Sequence, residues 1–135
     1  MNDDVFFDTN VLIYMVGQDD QRTAPAEALI AGGGVVSVQV LNELVSVARR
    51  KLGMTWEEAA ETLAAIRTLC LPPVPITIDT HEAALRIAAQ VGYHIYDALI
   101  VAAALQAGCT TLYSEDLQNG QVIDGCLTIR NPFTH

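Results

Sequence analysis

The stretch Ile95 to Ala107 reads IYDALIVAAALQA, a segment of helix length whose apolar residues fall on every face instead of along one stripe. A helix with no polar side is normally buried all round, so the rest of the chain has to enclose this one. At 135 residues the chain suffices for one core and is short for two, which predicts a single domain over residues 1–135 built around that helix. The helix carries one charged side chain, Asp97 in its first turn. Burial of the helix therefore delivers a carboxylate to an interior-facing edge.

The flanking segments alternate between strand and helix patterns. Val5-Phe6-Phe7 is a short β-forming run that ends at Asp8, and Thr9-Asn10 lead into a short helix over Val11 to Met15. A second helix runs from Ala24 to Ala31 and is closed by Gly32-Gly33-Gly34, after which Val35-Val36-Ser37 is a second buried strand. From Val40, apolar residues recur at helical spacing as far as the stop at Gly53, which places Glu43 in a first turn. Thr55 with Glu58 forms a capping box for a helix from Trp56 to about Cys70, ended by Pro72, Pro73 and Pro75. Ile76-Thr77-Ile78 is a third candidate strand, Asp79 with Glu82 caps a helix to Gln90, and Gly92 breaks it before the apolar helix. Thr110 to Tyr113 reads as a strand ending at Ser114-Glu115-Asp116, Gln118-Asn119-Gly120 as a turn, and Leu127-Thr128-Ile129 as the last strand. Strands alternating with helices predict a three-layer α/β domain with a mainly parallel central sheet flanked by helices.

Composition narrows the function classes. The chain is 51% apolar and 17% charged, more apolar side chain than a monomer of this size hides, so part of its surface is expected to meet a partner and the protein to be at least a dimer. The longest apolar run, Ala98 to Leu105, falls far short of the roughly 18 residues of a membrane span, and the start Met1-Asn2-Asp3-Asp4 is acidic where a signal peptide is basic. Both features predict a cytoplasmic protein. A net charge of −9 argues against a broad basic face for nucleic acid, so any such contact has to be local or metal-mediated. Cys70, Cys109 and Cys126 lack CxxC spacing and read as reduced core thiols.

Ligands in open α/β sheets bind at the carboxyl ends of the strands. Asp8 and Asp116 follow strands directly, and Glu43 and Asp97 lie at helix starts that can face the same edge. Four carboxylates brought together unpaired would cost several kcal/mol in repulsion and desolvation, and a hard divalent cation resolves that conflict. Mg²⁺ and Mn²⁺ take oxygen ligands and leave positions open for substrate phosphate, which is the chemistry of a metal-dependent nuclease. Each acid also has a plainer role open to it. Asp97 could stabilise a helix dipole, as Asp79 does, and Glu43 could be a solvated helix residue. Arg49-Arg50-Lys51 holds three of the seven basic residues. Arg50 projects from nearly the same helix face as Glu43, about 10 Å along, as a contact for RNA phosphate or as a solvated helix end. His81, His94 and His135 show no ligand spacing and read as surface or capping residues, with His94 three residues before Asp97. Tyr14, Tyr96 and Trp56 read as core or interface residues.

Asp8-Thr9-Asn10 after an apolar strand, Glu43 early in a helix, Tyr96-Asp97-Ala98 opening an apolar helix and Ser114-Glu115-Asp116 after a strand together resemble the PIN-domain nucleases. Within them the pattern is similar to the VapC-type toxins of bacterial and archaeal toxin–antitoxin pairs, over Val5 to Phe133. The resemblance implies a Mg²⁺- or Mn²⁺-dependent endoribonuclease, a homodimer, and a small antitoxin that occupies the pocket. It implies Asp8, Glu43 and Asp97 as core metal ligands and Asp116 as a fourth, with the Thr9 and Ser114 hydroxyls orienting Asp8 or a water. Ser114 stands where family members often carry Thr, which keeps the hydroxyl, and Glu115 remains open as a substitute for Asp116. Two other readings compete. A strand ending in Asp also begins the haloacid-dehalogenase-like phosphatases, but these need a later-strand lysine, and the sole lysine here is Lys51 in a mid-chain helix. A catalytically inactive PIN-fold binding protein would keep the fold without the turnover.

Overall fold

The computed structural model describes residues 2–17 and 21–133. Its elements are, in chain order, β1 (Val5–Phe7), α1 (Thr9–Val16), α2 (Thr23–Ala31), α3 (Val38–Arg50), α4 (Trp56–Leu69), α5 (Ile78–Val91), α6 (Ile95–Gln106), β2 (Thr111–Tyr113), β3 (Val122–Ile123) and β4 (Leu127–Arg130). The central helix is enclosed as its sequence requires, with every residue from Ala98 to Ala104 buried. Around it lie Phe6, Phe7, Leu12, Ile30, Leu44, Ile87, Leu112, Leu127 and Ile129, all fully buried in one continuous core.

The sheet order is β1-β2-β4-β3, with the first three strands parallel and β3 antiparallel to β4. The expected strand at Val35 to Ser37 is an extended segment that bridges outward from β1. Phe7 N–H donates to Val35 O at 3.0 Å, Val35 N–H to Val5 O at 2.9 Å, and Val74 N–H to Val36 O at 2.9 Å. Gly34 makes this approach possible, since a Cβ there would lie 2.5 Å from Phe7 Cε2. The result is the three-layer α/β architecture, with its parallel strands pointing their carboxyl ends at one edge.

Capping decides most boundaries. The Thr55/Glu58 box forms as expected at the start of α4. The strand expected at Ile76 to Ile78 does not form: Thr77 instead N-caps α5 in a box with Thr80, and Val74 makes the extended pairing two residues earlier. A hydroxyl pair that satisfies the free N–H groups of a helix start outweighs the β-propensity of the isoleucines, and the expected Asp79/Glu82 box is displaced with it. Thr80 Oγ1 also reaches Gln106 Oε1 at 2.8 Å and so ties α5 to α6. Gly92, at φ 89°, ends α5 in the left-handed conformation, and the chain bends by 116° into α6. Among the described residues no single helix is long and apolar enough to cross a membrane.

The structure corrects or narrows the reading at three further places. The strand β3 was not legible, because a two-residue strand has no period to read. Cys70 and Cys109 are buried thiols, but Cys126 is exposed, since it falls in the tight β3–β4 turn after Asp124 and Gly125. Trp56 and Tyr96, expected in the core or at an interface, are 67% and 56% exposed, which leaves the interface role.

Candidate active site

Asp8 ends β1 and caps α1. Its side chain accepts the Thr9 N–H at 2.7 Å, so one carboxylate is bound by the helix start that follows it. The backbone N–H of Asp8 donates to Tyr113 O at 3.0 Å, which locks the end of β1 to the end of β2. Ser114, the residue directly after β2, is fully buried and donates Oγ–H to Asp8 Oδ2 at 2.7 Å. Ser114 Oγ in turn accepts the N–H groups of Asp116 at 3.2 Å and Leu117 at 3.3 Å, so one hydroxyl shapes the turn that carries Asp116.

Glu43 lies in the second turn of α3, not the first, because Ser37 caps the helix and α3 begins at Val38. It is half-buried, and Gln39, one turn back, donates to its Oε2 at 3.0 Å. Asp97 occupies the first turn of α6 as expected and is also half-buried. Asp116 is exposed at the mouth.

The four acids feel one another. Burial pushes the Asp8 carboxyl up to about 6 from an ordinary 3.8, held back by its bonds from Ser114 and Thr9 and raised further by the charges of Glu43 and Asp116. Glu43 is raised by burial first, then by Asp97 and Asp116, against the lowering effect of its Gln39 bond. Asp97 is raised by burial and then by Asp116. His94 opposes the rise in both Glu43 and Asp97. It caps α6 by accepting the Tyr96 N–H on Nδ1 at 3.2 Å, which makes it the capping residue expected. His81 is exposed, and His135 lies outside the described residues.

The carboxylates thus share one field, yet among the described residues no three acidic, histidine or cysteine side chains stand within reach of a common ion as they lie. Asn10 occupies the gap between two of the carboxylates: its Nδ2 donates to Asp116 Oδ2 at 3.2 Å and to Asp8 Oδ2 at 3.4 Å. In the sequence Asn10 stands only as part of a motif, and nothing there signals a bridge to an acid 106 positions away. The donor set fits a hard cation: it consists of oxygens, its charge is uncompensated, and it lies beside a buried Thr9 Oγ1 that has no hydrogen-bond partner among the described residues. Of the two roles expected for the Thr9 hydroxyl, holding Asp8 falls to the Thr9 backbone N–H instead, and orienting a water stays open to the side chain.

Glu115 and Arg49 are engaged by other partners. Glu115 gives its carboxylate to Tyr14 and Arg22. Arg49 stacks its guanidinium 4.4 Å from the Trp56 ring centroid and donates to Met54 O at 2.7 Å, bracing the α3–α4 connection, while Arg50 and Lys51 are exposed at the end of α3.

The site is thus an α/β sheet edge, at the carboxyl ends of the parallel strands, that carries one buried carboxylate, Asp8, two half-buried ones, Glu43 and Asp97, and one exposed one, Asp116. The family is shown by sequence comparison: the PIN domain profile matches residues 5–121, and the chain belongs to the PIN-domain family. Among solved structures it is similar to VapC20 of Mycobacterium tuberculosis, a sarcin–ricin-loop-cleaving toxin, at 27% identity and a TM-score of 0.69, covering 83% of this chain and 89% of that one. It also shares its fold with a chain of a toxin–antitoxin complex from Klebsiella pneumoniae at 18% identity and a TM-score of 0.72, covering 95% and 97%. No curated protein sequence matches significantly.

Proposed function

We propose that this chain is a Mg²⁺- or Mn²⁺-dependent endoribonuclease and the toxin of a toxin–antitoxin pair. The observation that carries the reading is the coupled set Asp8, Glu43, Asp97 and Asp116 in a chain of the PIN-domain family whose structural relative is an RNA-cleaving toxin. Those four carboxylates would hold the ion. When bound, Mg²⁺ or Mn²⁺ lowers the pKa of an attacking water, polarises the scissile phosphoryl group and neutralises charge on the leaving oxygen.

The chain's own residues set the conditions for that chemistry. Ser114 Oγ–H and Thr9 N–H fix Asp8 in one rotamer, so the first ligand is oriented in advance. Asp8 has to release its proton, held up to about pH 6, before it can ligate, and this gives the activity an acid limb. Gln39 restrains Glu43 in the same way from within α3. Arg50 and Lys51 offer cations to the flanking phosphates without a broad basic face, which suits the net charge of −9.

A homodimer and an antitoxin partner belong to the same proposal. Leu52, Trp56, Leu69, Ile76, Ile78 and Leu85 are large apolar side chains left exposed on the single chain, and they support a partnered surface. The test incubates the purified protein with mixed cellular RNA, with EDTA or Mn²⁺, beside Asp8→Asn. Cleavage that needs the ion and is lost in Asp8→Asn is expected. Ion-independent cleavage would overturn the mechanism, and RNA left intact under every condition would favour a non-catalytic PIN-fold binding protein.

A further inference from the structure

Glu115 sits between the two site residues Ser114 and Asp116 but faces a different set of neighbours. Tyr14 Oη donates to its Oε1 at 2.5 Å and Arg22 Nε donates to its Oε2 at 2.6 Å. The Arg22 guanidinium also lies 5.3 Å from the centroid of the Tyr14 ring, and the Tyr14 and Phe133 rings meet nearly perpendicular with centroids 5.0 Å apart. The bonds join residues 101 and 93 positions apart, so the clamp exists only when α1 and the start of α2 are docked against the loop after β2. Its ion pair is partly shielded, with side-chain exposures of 36% and 21%, which preserves more of its strength than a surface pair keeps.

The backbone of the clamped residue does a second task. Glu115 N–H donates to Asn10 Oδ1 at 3.1 Å. With Oδ1 taken by a donor, the buried Asn10 amide has to turn its NH₂ toward acceptors, and the acceptors there are Asp8 Oδ2 and Asp116 Oδ2. The NH₂ group carries partial positive charge and no net charge. It relieves repulsion between the two carboxylates while keeping them a fixed distance apart.

We propose that Glu115 is a positioning residue: clamped by Tyr14 and Arg22, it holds the Asn10 amide as a neutral spacer that presets the separation of Asp8 from Asp116. Its consequence for metal affinity rests on the reading of those carboxylates as ligands. Loss of the clamp frees the loop, the Asn10 amide gains a second orientation that points oxygen at the acids, and the pair spreads.

Two readouts on Glu115→Ala, Glu115→Gln and Tyr14→Phe decide the matter. The first is metal-free: the side-chain amide resonances of Asn10 by ¹⁵N NMR, expected as one sharp, exchange-protected pair in the native chain, as averaged or shifted signals in Glu115→Ala, and as a smaller change in Tyr14→Phe, which keeps only the Arg22 half of the clamp. The second is Mn²⁺ affinity by electron paramagnetic resonance, expected to fall about 10- to 100-fold in Glu115→Ala. Glu115→Gln, which keeps one acceptor, should recover part of both signals. Melting of the metal-free variants is recorded beside them. A lower Tm with an unchanged Asn10 signal and unchanged Mn²⁺ affinity would reduce Glu115 to a structural brace and overturn the proposal. Native protein that takes up no Mn²⁺ would overturn the nuclease reading, while the Asn10 signal would still decide this one.

Discussion

Replacing Asp8 with Asn tests the electrostatics of the site without any assay of turnover. Asp8 is 4% exposed, and its carboxyl titrates at about 6 in the folded chain against 3.8 for an ordinary aspartate. The folded state therefore binds its proton more tightly than the unfolded state. Between those two pH values the folded chain holds the proton and the unfolded chain has lost it, so stability falls as pH rises through that window and levels off above it. The gap between 3.8 and about 6, at roughly 1.36 kcal/mol per decade of proton concentration, corresponds to about 3 kcal/mol. Asn cannot ionise, so Asp8→Asn escapes this loss. Whatever the substitution costs in its bonds to Thr9 and Ser114, its stability relative to the native chain should improve by about 2–3 kcal/mol between pH 4 and pH 7. At this chain length that is about 10 °C in relative Tm. Thermal melts followed by circular dichroism in EDTA across that range provide the measurement. Addition of Mn²⁺ at pH 7.5 should then raise the Tm of the native chain more than that of the variant. A Tm difference that stays constant from pH 4 to pH 7 would refute the argument from burial and repulsion.

Two other substitutions probe the supports of the site. Ser114→Ala removes the bond that holds the Asp8 carboxyl down and leaves the Asp116 and Leu117 N–H groups without their acceptor, so the acid limb of RNA cleavage should move to higher pH and stability should fall by about 1–3 kcal/mol; an unmoved acid limb in the pH–rate profile would contradict this role. Gly34→Ala places a Cβ 2.5 Å from Phe7 Cε2, in backbone that sits between β1 and the Leu71 N–H donated to Gly34 O, and should cost about 1–3 kcal/mol in urea unfolding, whereas full native stability would show that Phe7 can move aside.

Much of this molecule was written in its sequence. An all-apolar helix can only be a central one, and the buried run Ala98 to Ala104 follows from that alone. Asp8 at the end of β1 and Asp97 in the first turn of α6 were placed by local rules that operate within a few residues, namely strand endings, caps and helical period. The same rules failed where two local preferences competed. At Thr77 the cap prevailed over the strand, and at Ser37 the cap began α3 early enough to move Glu43 into the second turn. What only the tertiary structure decided are the contacts between positions about a hundred residues apart: Ser114 on Asp8, Asn10 between Asp8 and Asp116, and Tyr14 and Arg22 on Glu115. Hydrophobic pattern fixes which face of an element is buried, because burial acts on whole faces at once. Hydrogen bonds act through single atoms within about 3 Å, and no periodicity in the chain encodes which atom that will be.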